Sequence, residues 1–242
     1  MKILLNNKSF ITEFINPILE INKNGKTAIF CDDDKTLHAI YLTEDKTVYL
    51  YIRYTPDQIS DPIPRFNINL NKLSQALSCV KNSDTILLNI DEKKISYKDD
   101  TISFTVRGVE NEEIPVVKFS VSAFEKFNTV YSFKIDKKIL GELKQADAFA
   151  SDTTKFYIEK EDDKLYIMFG DKTANHYNSI KVLIQDNFSE NIDEIIYNNP
   201  ILRLLFRSKG NITFKICDNS ALIATISTEK TTASYITTKL KK

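Results

Sequence analysis

Residues 66–79 read FNINLNKLSQALSC, and residues 133–146 read FKIDKKILGELKQA. At this offset Phe66 falls on Phe133, Ile68 on Ile135, Asn69 on Asp136, Leu73 on Leu140 and Ala76 on Leu143. Each stretch opens with alternating apolar residues, which suits a half-buried strand. Asn69 and Asp136 then stand where a helix needs a side-chain acceptor for its first unpaired N–H groups. Apolar residues three and four apart follow, so one helical face turns inward. A short strand, a polar cap and an amphipathic helix are therefore written twice. One such unit cannot bury its own apolar face, so the repetition marks a duplicated domain.

The flanking sequence is rich in strands. KTAIFCDD, HAIYLTEDKTVYLYIRY, TILLNIDEKKISYK, TISFTV, KFYIEKEDDKLYIMF and NITFKICDNSALIATIST concentrate β-branched and aromatic residues. TEDK, DEKK and EKEDDK read as hairpin tips. The helix after Asn69 is expected over about residues 71–82, with Leu73, Ala76, Leu77 and Val80 on one face, and its counterpart after Asp136 carries Ile139, Leu140 and Leu143. Two further segments have helical spacing. From Asn7 to about Ile15, Phe10, Ile11, Phe14 and Ile15 are apolar. Pro17 is expected to stop this helix, because the residue before a proline avoids the helical region. After Asn199, Pro200 takes a favoured first-turn position and leads Ile201, Leu202, Leu204 and Leu205. Strands follow every helix. The chain therefore reads as an α+β protein of two similar domains, residues 1–106 and 131–242, each holding two strand–helix–strands units. Residues 107–130 form a connector, marked by Gly108, an acidic cluster and Pro115.

Acidic and basic residues number 33 each, so the formal net charge is zero, which argues against a protein coated in Lys and Arg. The distribution is uneven. The helical segments carry Lys8, Lys72, Lys81, Lys137, Lys138, Lys144, Arg203, Arg207 and Lys209 against Glu13, Asp136, Glu142 and Asp147. The helices are net basic, and the strands and loops are net acidic by the same amount. No apolar run approaches the roughly 20 residues of a membrane span. MKILLNNKSF has only a brief apolar stretch, so no signal peptide is expected. Cys31, Cys79 and Cys217 are isolated and odd in number, as thiols in a reducing compartment are, not a disulfide framework. The abundance of Lys, Asn and Ile fits an AT-rich genome, such as that of a phage or virus.

Catalytic signals are lacking. The CDDD run from Cys31 to Asp34 reads as a solvated turn, and neither His38 nor His176 has metal-ligand spacing. No nucleophile elbow surrounds a Ser or Thr, and the five glycines are scattered, so no phosphate-cradling loop exists. No cofactor, metal or enzymatic activity is expected.

FNINLNKLSQALSC, YSFKIDKKILGELKQA, TTKFYIEKEDDKLYIMFG and IYNNPILRLLFRSKGNITFKICDNSALIATIS, with the two-domain length, resemble the DNA sliding clamps, such as the proliferating cell nuclear antigen and the clamps of T-even-like phages. The resemblance spans essentially the whole chain. It implies a homotrimeric ring with sheets outside and helices lining a central hole around duplex DNA. Such a ring is a processivity factor. It tethers DNA polymerase, is opened by an ATP-driven clamp loader, acts in the cytoplasm (the host's, if phage-encoded) and has no membrane or catalytic role. The DNA-facing residues would be Lys72, Lys81, Lys138, Lys144, Arg203, Arg207 and Lys209. Binding would be loose and independent of sequence, through phosphates.

The resemblance also places the subunit joint on two strand edges. One comprises Thr101, Ile102, Ser103, Phe104, Thr105 and Val106, the other Tyr177, Ser179, Ile180, Lys181, Val182 and Leu183. Partner peptides would dock in an apolar pocket beside the connector, formed by Val117, Phe119, Val121, Phe124 and Phe127 with Ile236 and Leu240 near the C-terminus. Two other readings compete. A monomeric or dimeric herpesvirus-like processivity factor would bind DNA directly, but such proteins are more basic. A β-rich phage structural or carbohydrate-binding protein would more readily carry Trp, and this chain has none.

Overall fold

The computed structural model describes residues 1–80, 83–114, 127–170, 172, 178–208 and 210–240. The chain divides into two compact units. The first comprises Met1–Thr43, Leu50–Ser120 and Thr228–Ala233, and the second Glu44–Tyr49, Val121–Ser227 and Ser234–Lys242.

The first unit begins with β1 (Lys2–Asn6), a helical run over residues 7–21 (α1), and β2 (Lys26–Cys31), β3 (Leu37–Leu42) and β4 (Val48–Tyr54). After a short β5 (Gln58–Ser60) the pattern repeats as β6 (Arg65–Asn69), α2 (Leu70–Ser78), β7 (Thr85–Asp91), β8 (Lys94–Lys98) and β9 (Ser103–Arg107). One sheet has the order β5-β1-β7-β8-β9, while β4, β3, β2 and β6 are successive neighbours in another. Each copy therefore lends its first strand to the other copy's sheet. β1 pairs antiparallel with β7, and β6 pairs antiparallel with β2. This exchange is why the unit is written twice, since neither sheet is complete without the other copy.

The second unit repeats the plan. β10 (Thr129–Ile135), α3 (Lys137–Phe149), β11 (Lys155–Glu161), β12 (Lys164–Phe169) and β13 (Ile180–Gln185) form one copy. β14 (Ile195–Asn198), α4 (Pro200–Leu205), β15 (Asn211–Cys217), β16 (Leu222–Ser227) and β17 (Thr231–Thr237) form the other. β14 joins the sheet β13-β12-β11-β14, and β10 joins β15, β16 and β17.

Local chemistry explains the helices. Asn69 accepts the Lys72 N–H at 3.2 Å, and Asp136 accepts the Ile139 N–H at 2.8 Å, so both expected caps are made. Leu70, Leu73 and Leu77 of α2 are buried, as are Leu143 and Ala146 of α3. Each buried Leu contributes about 1.5–3 kcal/mol. The expected stop at Pro17 is corrected. The run passes from Asn7–Ser9 through a π-helical stretch, Phe10–Ile15, into Asn16–Ile21, where Pro17 lies in the first turn. The Asn16 N–H reaches back to the Ile11 carbonyl. This wider turn resets the ladder, so the N–H that Pro17 lacks falls where an α-helix start leaves one unpaired anyway.

Two buried asparagines repeat as well. In each unit the second Asn of an Asn-Asn pair opens a helix and ties it to the end of the other. The Asn7 amide donates to the Leu77 and Val80 carbonyls at 3.1 and 3.4 Å, and the Asn199 amide donates to the Asp147 carboxylate.

Candidate subunit, nucleic-acid and partner interfaces

Lys72 on α2 and Lys138 and Lys144 on α3 are exposed, as are Arg203 on α4 and Arg207 just beyond it. Lys81 and Lys209 lie outside the described residues. The acidic residues of the helices have local partners. Glu13 accepts hydrogen bonds from the Thr228 and Thr231 hydroxyls at 2.6 and 3.2 Å. Asp136 is a cap, and Glu142 lies 3.9 Å from Lys138 one turn away. Asp147 binds Arg203 through both Nε and Nη2, at 3.2–3.3 Å. Arg203 is therefore a held cation, whereas no ion pair among the described residues engages Lys137 or Lys144.

β9 and β13 occupy matching positions at the ends of their sheets, and among the described residues neither has a strand on its outer side. Each is backed by the corresponding helix, α2 on β9 and α3 on β13. Ser103 and Thr105 are exposed, Phe104 is half-buried and Val106 is buried, so the β9 edge offers backbone groups and small polar side chains. Thr101 and Ile102 precede it. On the other edge Ser179, Lys181 and Leu183 are exposed, Ile180 is half-buried and Val182 is buried, while Tyr177 lies outside the described residues. Leu183 on β13 is 40% exposed, and Phe149, on the helix that covers β13, is 58% exposed.

Charges brace both edges. Lys181 lies 2.9 Å from Glu159 and 2.5 Å from Glu161, while Lys172 pairs with Glu159 and Glu194. Burial pushes the Glu159 carboxyl up, but hydrogen bonds from Lys172 and Lys181 outweigh it and hold it below the ordinary value. On the other edge Asp99 shapes the β8–β9 turn. It accepts from the Tyr97 hydroxyl at 2.7 Å and from the N–H groups of Thr101 and Ile102, each at 2.7 Å. These bonds, the Tyr97 one foremost, hold its carboxyl down at about 2, against 3.8 ordinarily. The folded value lies below the unfolded one, so this contribution is complete above about pH 4 and vanishes as pH falls towards 2. The melting-temperature gap between the parent and an Asp99→Asn chain should therefore shrink steadily from pH 5 to pH 2. A gap that stays constant would remove Asp99 from this role.

A pocket of about 660 Å³ opens in the second unit. Val130 and Tyr131 of β10, Ile192 to Ile196, Ile216 to Asp218 and the C-terminal Lys239 and Leu240 contribute to its wall. Of the expected pocket residues, Leu240 lines it. Ile236 is only 2% exposed on β17 and does not line it. Phe127 is half-buried outside the lining, and Val117, Phe119, Val121 and Phe124 lie outside the described residues. Among the described residues no three His, Cys, Asp or Glu gather so as to hold a metal, and no helix is long and apolar enough to cross a membrane.

Comparison with solved structures decides what this architecture is. A. fulgidus PCNA, solved with the C-terminal region of FEN-1 bound, matches with a TM-score of 0.71 at 12% identity, over 100% of this chain and 98% of that one. The chain has the sliding-clamp fold. PCNA from Thermococcus kodakaraensis matches with a TM-score of 0.71 at 10% identity, over 99% of both chains. The Helicobacter pylori beta clamp, solved with a DNA ligase peptide, matches with a TM-score of 0.64 at 14% identity, over 100% of this chain and 67% of that one. No protein-family model matches the sequence, and no curated protein matches it.

Several features of this clamp fold escaped sequence reading. The pocket wall at Ile192–Ile196 lies in a stretch whose only signal was scattered isoleucine. The Asp147–Arg203 pair joins residues 56 positions apart. His38 Nδ1 lies 2.9 Å from Asp32 and its ring stacks on Phe30, while Arg53 reaches Asp34 at 2.7 Å and so partly neutralises the CDDD turn.

Proposed function

We propose that this chain is a DNA polymerase processivity factor that closes into a homotrimeric ring around duplex DNA and performs no catalysis. The observation that carries the reading is the pair of open edges, β9 and β13, at matching ends of two similar sheets. Pairing β9 of one chain with β13 of the next is a heterologous contact, and such contacts give a ring when the rotation closes. Exposed Leu183 and Phe149 beside β13 supply apolar surface for that joint. The helices would face the DNA with Lys72, Lys81, Lys138, Lys144, Arg207 and Lys209, and Arg203 would contribute as a cation already shared with Asp147. Retention by topology needs only weak phosphate contacts, which suits sliding.

The pocket would receive peptides of the polymerase, the clamp loader and other replication proteins; the A. fulgidus protein is solved bound to the C-terminal region of FEN-1, and the H. pylori clamp bound to a DNA ligase peptide. The setting would be the cytoplasm of the cell, or of the host if the chain is phage-encoded. Light scattering behind a sizing column, across a dilution series, tests the ring. A mass of three times 27.8 kDa is expected. A persistent single-chain mass at high concentration would sink the ring and favour a factor that binds DNA directly. Duplex affinity should fall steeply with salt and be indifferent to sequence.

A further inference from the structure

The sheet β5-β1-β7-β8-β9 turns one face to the core and the other to solvent. Strand alternation buries Ile3, Leu5, Ile86, Leu88 and Ile95 on the core side, where α2 packs. The registers then gather Lys2, Lys94, Lys98 and Arg107 on the outer face. Lys2 pairs with Asn89, Asn89 with Ser96, and Lys94 with Arg107. Ser96 lies between Lys94 and Lys98, so Lys2 stands level with their midpoint, about 10 Å away across two strands, and the two lysines are roughly 14 Å apart. All these cations are exposed, and no ion pair or side-chain hydrogen bond among the described residues engages any of them. Asp91 is the sole carboxylate among the ladder residues of this face, and its Oδ1 accepts the Lys93 and Lys94 N–H groups, each at 2.9 Å. Glu92 and Asp100 stand in the hairpin turns, outside the ladder. Beside the cations lie Leu4 and Leu87, paired across β1 and β7, with Leu87 46% exposed. The matching face of the second unit is closed. Tyr157, Glu159 and Met168 are buried there, and Lys172 and Lys181 pair with Glu159, Glu161 and Glu194. Open cations are therefore not a consequence of the sheet plan, since its two copies differ in this respect.

We propose that the outer face of this sheet docks an acidic peptide segment of a partner protein, with carboxylates over Lys2, Lys94, Lys98 and Arg107 and one apolar side chain seated on Leu4 and Leu87. Complementary charge selects the partner, and the leucine pair selects its chemistry further. A single-stranded nucleic acid carries the same sign of charge, but such strands are held by stacking on aromatic side chains, and the ladder residues of this face include none. A phosphate backbone also leaves Leu87 uncovered, whereas an apolar anchor buries it. Attraction between exposed charges is screened beyond about 8 Å at physiological salt, so the affinity is modest and falls as salt rises. The site depends neither on ring closure nor on DNA binding. It lies on the side of the sheet away from α2, so an occupant leaves the helical surface free.

The test uses the full-length chain and a fluorescein-labelled peptide, Asp-Glu-Asp-Glu-Leu-Phe-Glu-Asp-Glu-Asp, followed by anisotropy at low salt. A peptide with Ser-Ser in place of Leu-Phe and a short labelled oligothymidylate serve as comparisons. The parent should bind the Leu-Phe peptide more tightly than either. Lys94→Glu with Lys98→Glu should weaken that binding by about tenfold or more, since two attractions become repulsions. Lys94→Gln with Lys98→Gln should weaken it less, and stands in if the reversals disturb folding, which circular dichroism checks. Leu87→Ser should lower the affinity for the Leu-Phe peptide to that of the Ser-Ser peptide. Lys23→Glu with Lys155→Glu makes the same change in net charge at exposed positions elsewhere, and should leave the peptide bound as before. No binding to the parent, or binding unaffected by either folded Lys94 and Lys98 pair, overturns the proposal. An equal loss in the Lys23 and Lys155 pair does so too, because it would reduce the effect to net charge. Indifference to Leu87→Ser removes the apolar anchor. Tighter binding of the oligothymidylate than of the peptide, lost with Lys94 and Lys98, replaces the acidic peptide with a nucleic acid.

Discussion

A chain carrying Phe149→Asp and Leu183→Asp should scatter as a single chain at concentrations where the parent is expected to scatter as three. Both side chains are exposed in the isolated chain, at 58% and 40%, so their removal takes little from its core. In the ring they would be covered, and the loss of their burial, at about 25 cal/mol per Å², comes to roughly 2 kcal/mol per joint. A closed trimer repeats the joint three times. The total of about 6 kcal/mol is roughly a 10⁴-fold fall in the association constant. Placing carboxylates in the joint adds a desolvation cost of the same sign. The melting temperature of the dilute chain should hardly change. An undiminished trimer at the lowest measurable concentration would show that the joint lies elsewhere.

Replacing Asp147 should affect stability and DNA binding in opposite directions. Its carboxylate takes the Asn199 amide, on a residue with 0% exposure, and holds Arg203 from both Nε and Nη2. In Asp147→Ala the buried amide loses its acceptor, at a cost of about 1–3 kcal/mol. That corresponds to a fall in melting temperature of roughly 3–15 °C for units of this size. Asp147→Asn keeps an acceptor for Asn199 and should recover most of that loss. Both variants release Arg203 and add one positive charge to the helices. Duplex affinity at low salt should therefore rise, and the slope of log affinity against log salt should steepen by about 0.9. If the slope does not move in the folded Asn variant, Arg203 does not face DNA. If Asn melts as low as Ala, the charge of Asp147, not its acceptor, is what stabilises the unit.

The buried Asn199 and Asn7 mark the limit of sequence reading. Both stand in Asn-Asn pairs that look like ordinary helix starts. Their bonds to the far end of another helix could not be read there, because the partners are two carbonyls and a carboxylate 52 to 73 residues away. Pro17 failed for a related reason. A proline is a sound local stop signal, but a π-helical turn moved it into the first turn of the next segment.

What the sequence determined by itself was the order of elements and which face of each is apolar. Helical spacing, strand alternation and the Asn69 and Asp136 caps are local physics, and each acts within a few residues. The four-fold strand–helix–strands order followed from them. Tertiary structure alone decided the strand exchange between copies, which places β9 and β13 at open ends. It also paired Arg203 with Asp147 and brought Leu240 to β14. These depend on which distant segments meet, and the free energy of a meeting resides in the pair, so neither segment carries it alone.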